Sequence, residues 1–253
     1  CPTQSIINPS AIADLTSVRS MRIIHVHASP IIASAILTTL LLQSGCVSTG
    51  HQKASTLNVP PHDEWKAAIA KHSPDLFASA QALVIVAPVG ISHGRGWFCE
   101  TDPEGKWNAT NDGFPISVGI AGIAAPGEKR EGDKRTPSGV FRLTEAFGRD
   151  VPALAGTKLR YRQATKHDAW SEDIQSPDYN TWISGDRAAA ATDRLLRDDG
   201  LYDQSIVVDY NRDPVEPGRG SAIFIHRAHA DGTGTLGCIA LDATDLDFCF
   251  SNT

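Results

Sequence analysis

The chain has 253 residues, 41% hydrophobic and 21% charged; this ordinary globular mixture excludes a disordered or fibrous chain and leaves length enough for a sizeable core. Lys and Arg number 23 against 29 Asp and Glu, a formal charge of −6, and there is no basic run, so nucleic acid is a poor partner: phosphate contacts need clustered Lys and Arg. Aromatics at 7% with 21 Gly and 15 Pro favour a turn-rich β protein over a helical bundle.

The single methionine is Met21, and Cys1 is no initiator, so residues 1–20 are expected to be an upstream, non-native segment. From Met21, Arg22 supplies a positive start and residues 31–42 form an apolar run. That run is shorter than the ~20 residues a spanning helix needs, and it fits the core of a signal peptide over residues 21–45. It ends in Gln43-Ser44-Gly45-Cys46, which resembles the lipobox of bacterial lipoproteins, with Gln43 where those prefer Leu. The resemblance implies lipidation of Cys46, export to the periplasm and a membrane anchor, since two or more acyl chains hold where one does not. A plain secretory signal is the alternative. Residues 46–63 are polar, carry two prolines and read as a tether.

The folded part opens with a helical lead-in over residues 64–81, with Asp63 as a possible cap and Pro74 as a break. The apolar run 82–87 reads as a strand bounded by Gln81 and Pro88. Residues 114–123 and 139–143 are β-like, and 188–196 is helical in composition. The runs QSIVVDY (204–210) and SAIFIH (221–226) are the clearest strands. A short apolar segment at 237–241 precedes a terminal helix over 242–250 capped by Asp242. Short strands between Gly, Pro and Asp turns predict a mainly β sandwich or barrel with peripheral helices.

Five cysteines are present. With Cys1 upstream and Cys46 lipidated, Cys99, Cys238 and Cys249 remain, an odd number for an oxidising compartment. Cys99 and Cys249 could bridge; all three could equally be buried small apolar groups. Cys238 stands apart, because the loop Asp231-Gly232-Thr233-Gly234-Thr235-Leu236-Gly237 delivers it to a short strand, and glycines let backbone N–H groups approach a ligand. A thiol at its ordinary pKa is mostly protonated near neutrality and needs a base or cation beside it. His226, ending a strand twelve residues earlier, is the candidate.

Two segments extend this reading. Gly132-Asp133-Lys134-Arg135-Thr136-Pro137-Ser138-Gly139-Val140-Phe141 resembles the "GD-x-x-TP-x-G-x-F" stretch of the YkuD-type L,D-transpeptidase domain. The run from Gly218 to His226, followed by Thr235-Leu236-Gly237-Cys238, resembles its catalytic segment. The similarity spans roughly residues 82–250, within a catalytic domain placed at 82–253. It implies a β-sandwich-like domain that acts on peptidoglycan stem tetrapeptides through a cysteine thioester, without a cofactor. A second stem's amine resolves the thioester; relatives use a lipoprotein lysine or water. Carried over, Cys238 is the nucleophile, His226 the general base, and the N–H groups of Gly237 and Cys238 the oxyanion donors. Ser221 and Thr235, within the matching segment, join Trp182 and Tyr210 as candidate substrate contacts. The common motif is Ser/Thr-His-Gly-Cys, and Leu236 takes the place of its histidine.

Other readings compete. Gly232-x-Gly234-x-x-Gly237 formally matches a dinucleotide fingerprint, but that motif requires a helix to follow and an acidic residue about twenty positions later, whereas Cys238-Ile239-Ala240-Leu241 follows and only sixteen residues remain after Gly237. His226, His229 and Cys238 have ligand chemistry for zinc; three-residue spacing at a strand end does not place the two imidazoles together, so no metal is expected. Trp182 and Tyr210 could equally be packing and turn residues, and Lys129-Arg130 and Lys134-Arg135 a solvated loop face. Three functional alternatives stay open: an L,D-transpeptidase, an L,D-carboxypeptidase using water, and a catalytically silent peptidoglycan-binding lipoprotein, which Leu236 favours.

Overall fold

The computed structural model describes residues 22–28, 64–72, 81–88, 90–150, 157–189, 191 and 193–253. Residues 1–20, the tether 46–63 with Cys46, and the apolar run 31–42 lie outside the described residues. The elements in chain order are β1 (Arg22–Ala28), α1 (Glu64–His72), β2 (Gln81–Pro88), β3 (His93–Thr101), β4 (Trp107–Ala109) and β5 (Phe114–Ser117). There follow β6 (Gly139–Gly148), β7 (Arg160–Gln163), β8 (Asp168–Trp170), β9 (Trp182–Ser184), β10 (Asp193–Arg194), β11 (Gln204–Val208), β12 (Phe224–Arg227), β13 (Ile239–Leu241) and α2 (Ala243–Ser251). The protein is mainly β with peripheral helices, as the composition predicts.

The large sheet runs β1-β2-β3-β5-β13-β12-β11-β6-β7, with β4 beside β3. β1 also pairs with β6, so eight of these strands close into a ring. A second, three-stranded sheet has the order β10-β8-β9.

β2 shows why a continuous apolar run can be a strand. Leu83, Ile85 and Ala87 enter the main core with Phe98, Ile206 and Ile225. Ala82, Val84 and Val86 face the other way, under Trp65, Ala68 and Ile69 of α1. A strand covered on both faces has no polar side to alternate with.

β1 falls within residues 21–45, the stretch read as a leader. Here it pairs with β2 from Arg22↔Ala82 to Ala28↔Pro88, and Ile23 is fully buried in the main core.

Most sequence-level elements are found in place, including α2 with Asp242 Oδ1 accepting the Asp245 N–H at 2.9 Å. The reading of 188–196 as a helix is wrong. Only a 3-10 turn, Gly185–Ala188, precedes β10, whose Asp193 and Arg194 pair with Trp170 and Ala169 of β8. Alanine and leucine carry helix propensity, but tertiary strand pairing overrides it. Cys99 and Cys249 are unpaired and lie in different core clusters, so the possible bridge is absent.

Candidate active site

β12 and β13 are parallel neighbours with His226 opposite Ala240. Cys238 lies two residues before Ala240 and therefore on the face that carries His226. Both line a cleft of about 410 Å³ whose wall also includes Ser221, Thr235 and Gly237. Five of the seven candidate catalytic and substrate residues thus converge.

The loop before β13 is pinned from two sides. The Thr235 hydroxyl donates to the Cys238 carbonyl at 2.6 Å and accepts the Gly237 N–H at 3.1 Å. The Thr136 hydroxyl, from the threonine–proline motif, also donates to that carbonyl at 3.2 Å and accepts the Gly119 N–H at 2.9 Å. Gly237 has φ 150°, and a Cβ there would stand 3.1 Å from the Arg135 carbonyl, so glycine is what lets the two segments meet. The Gly237 N–H is already engaged by Thr235, which weakens it as an oxyanion donor. The Cys238 N–H has no partner among the described residues.

The sulfur is held as a thiol. It donates to the Ala222 carbonyl at 3.2 Å and accepts the Phe224 N–H at 3.4 Å. Ala222 has φ 53°, an uncommon conformation for a residue with a Cβ. Its N–H donates to Asn180 Oδ1 at 3.1 Å, and Asn180 Nδ2 donates to the Tyr210 and Asn211 carbonyls. Buried Asn180 therefore clamps the peptide that positions the sulfur. Sequence reasoning missed it, as it missed Glu131, which accepts hydrogen bonds from Tyr179 and Ser221 across the cleft wall. No local pattern marks either residue; both act on chain segments distant in sequence.

His226 Nδ1 lies 2.7 Å from its neighbour's carbonyl, Arg227 O. A carbonyl only accepts, so Nδ1 carries the proton and Nε2 is left as the acceptor. The thiol and the imidazole share no hydrogen bond. Burial pushes the Cys238 thiol up to about 12 and the His226 imidazole down to about 4. The resting pair is neutral, where the sequence suggested an imidazole-stabilised thiolate.

Trp182 and Tyr210 do not line the cleft. Trp182 packs edge-on against Phe147 under the Arg162 guanidinium, 3.8 Å from its ring, and its Nε1 donates to Asp168 Oδ1 at 2.9 Å. Tyr210 donates its hydroxyl to the Arg219 carbonyl at 2.6 Å and meets Phe141 edge-on. Both are held by the frame, whose demand for large rings outweighs their availability for stacking. Leu236, at the motif-histidine position, is 73% exposed and lines the cleft mouth.

The family model for YkuD, the L,D-transpeptidase catalytic domain, matches residues 104–253. The chain belongs to that family. The match covers β4 to α2 with both motif segments, while β1, α1, β2 and β3 lie before it. No curated protein and no solved structure matches the chain.

Proposed function

We propose that the protein is a peptidoglycan L,D-transpeptidase working through a Cys238 thioester on stem tetrapeptides. The observation that carries this is the placement of Cys238 and His226 on one face of adjacent strands, both lining an open cleft in a chain of this family. In the cycle, the sulfur attacks the carbonyl of the third stem residue, a diamino acid, and D-alanine leaves. An amine of a second stem then resolves the thioester. Nε2 of His226 serves as general base. The Cys238 N–H, unengaged in the resting state, is the donor toward the tetrahedral oxyanion; losing such a donor typically costs ~2.7–4 kcal/mol of transition-state stabilisation. Export and lipidation at Cys46 would anchor the domain to a membrane, with residues 46–63 as the tether that reaches the wall; cleavage before Cys46 would remove β1 and leave β2 and β6 without that neighbour.

Incubation with a carbapenem, followed by peptide mass analysis, is expected to place the adduct on Cys238. Muropeptide analysis is expected to show cross-linked dimers, with D-alanine released alone if water is the acceptor. Cys238→Ser abolishes adduct and products alike; turnover that persists in that variant removes the mechanism.

A further inference from the structure

The sequence offers Lys129 as part of a solvated loop face, yet the residue is buried and lines the active-site cleft. Its ammonium donates to Asp133 Oδ1 and to the Arg130 carbonyl, each at 2.7 Å. An ammonium carries three N–H donors, and the third has no partner among the described residues. Asp133 is fixed in its turn: Oδ1 accepts the Arg135 N–H at 2.9 Å and Oδ2 the Arg130 N–H at 2.8 Å. The aspartate of the Gly132-Asp133 motif thus holds a lysine in place. Gly220 leaves room for it. That residue has φ 105°, and a Cβ there would stand 3.0 Å from Lys129 Cε and 3.3 Å from Nζ.

The ammonium and the sulfur meet one short segment at its two ends. Lys129 packs on Gly220, and the Cys238 thiol donates to the carbonyl of Ala222. Two residues of chain reach at most about 7 Å. A carbonyl under attack stands roughly 3–3.5 Å from its nucleophile, and one further residue adds about 3.5 Å. The end of a one-residue leaving group therefore comes within reach of the ammonium. Charge favours an anion there. Lys129 and Lys134 reach the cleft from the loop before β6, and Glu131 beside them is committed to Tyr179, Ser221 and the Gly132 N–H. Glu172, just past β8, and Asp193 of β10 reach the cleft from the three-stranded sheet, where the cation Arg197 is already bound to Asp199. A carboxylate is repelled by that sheet and drawn to the loop.

We propose that Lys129 recognises the free terminal carboxylate of the acyl donor, its third N–H donating to the residue that leaves. The assignment rests on Cys238 being the nucleophile, and it makes Lys129 the residue that selects donors with one residue beyond the attacked carbonyl. A longer stem would present a neutral amide at that point and forgo a charge-assisted hydrogen bond. The pair with Asp133 keeps the buried ammonium compensated between turnovers.

The test is calorimetric binding of two ligands to the full chain carrying Cys238→Ser: a stem tetrapeptide with a free terminal carboxylate, and its terminal-amide twin. The acid is expected to bind at least tenfold more tightly than the amide. In Lys129→Met the ratio should fall to near one. Gly220→Ala keeps the lysine but takes its space, and should lower the ratio as well; Lys134→Met, at an exposed position, should lower it less. Each ratio is taken within one variant, so a general loss of fold weakens both ligands together. A ratio near one in the parent, or one that survives in Lys129→Met, overturns the assignment. Turnover by the chain with Cys238 intact separates the two ideas. Acid-selective binding with neither cross-linked dimers nor released D-alanine sinks the transpeptidase reading alone. Products formed from acid and amide donors at equal kcat/KM sink the role of Lys129 alone.

Discussion

His226 offers a stability measurement that needs no substrate. Its imidazole is buried, and burial lowers its pKa from 6.5 to about 4. In the unfolded chain the ring regains its ordinary affinity, so between these values the unfolded state binds the extra proton. The contribution is therefore complete above pH 6.5 and is lost as pH falls through 4, about 3 kcal/mol in all. Asp193 works in the opposite sense. Its folded value is raised from 3.8 to about 7, so its contribution, at most about 4 kcal/mol, is complete below pH 3.8 and is lost as pH rises through 7. The two nearly cancel in the unaltered protein, and single variants expose them. Denaturant unfolding at pH 7 and pH 4.5 should show the unaltered protein losing about 2 kcal/mol relative to His226→Gln across that interval, and gaining about 3 kcal/mol relative to Asp193→Asn. Comparing each variant with its parent removes the other carboxylates. Variant and parent curves that run parallel in pH, or deviations of the same sign in both variants, would refute the assigned burial of the two groups.

Three further outcomes follow from single contacts. Thr136→Val keeps the shape of a fully buried side chain but leaves the Gly119 N–H without its acceptor; it should cost about 1–3 kcal/mol and slow acylation of Cys238, with Thr136→Ser recovering most of both. Gly237→Ala forces a side chain onto φ 150° and toward the Arg135 carbonyl; a loss of about 1–3 kcal/mol and a slower acylation rate are expected, and a rate equal to the parent's would show that the loop has slack. Ile23→Ala in the full chain should cost about 2–5 kcal/mol and leave acylation intact, because β1 lies across the ring from β12 and β13. An unchanged unfolding midpoint would place β1 outside the cooperative fold.

What the sequence made legible was local or motif-borne. β2 announced itself by an unbroken apolar run, α2 by the aspartate at its cap, and the cleft by two segments that bring Cys238, His226, Gly237, Thr235 and Ser221 together. What stayed hidden depends on partners remote along the chain. Asp193 sits in an alanine- and leucine-rich run whose composition points to helix, and only pairing with Trp170 turns it into a strand facing the cleft. Asn180 gives no signal at all, since its role is to hold backbone groups at residues 210, 211 and 222. Trp182 and Tyr210 looked available because aromatic rings near a cleft often stack on ligands; here the frame uses both rings.

The neutral resting state of Cys238 bears on where such a protein can work. A thiolate, not a thiol, is the species that oxidises readily. Cys99, Cys238 and Cys249 are all buried and unpaired, and burial holds each thiol up at about 12. For the exported enzyme proposed above, this is protection in a compartment where exposed thiols pair or oxidise. It also sets a requirement for catalysis: the nucleophile must be unmasked only when a substrate carbonyl is ready to take the charge. A resting imidazolium–thiolate pair would place two charges in the buried site, which the depressed His226 and raised Cys238 values oppose, so the proton is expected to reach His226 Nε2 only as the sulfur attacks.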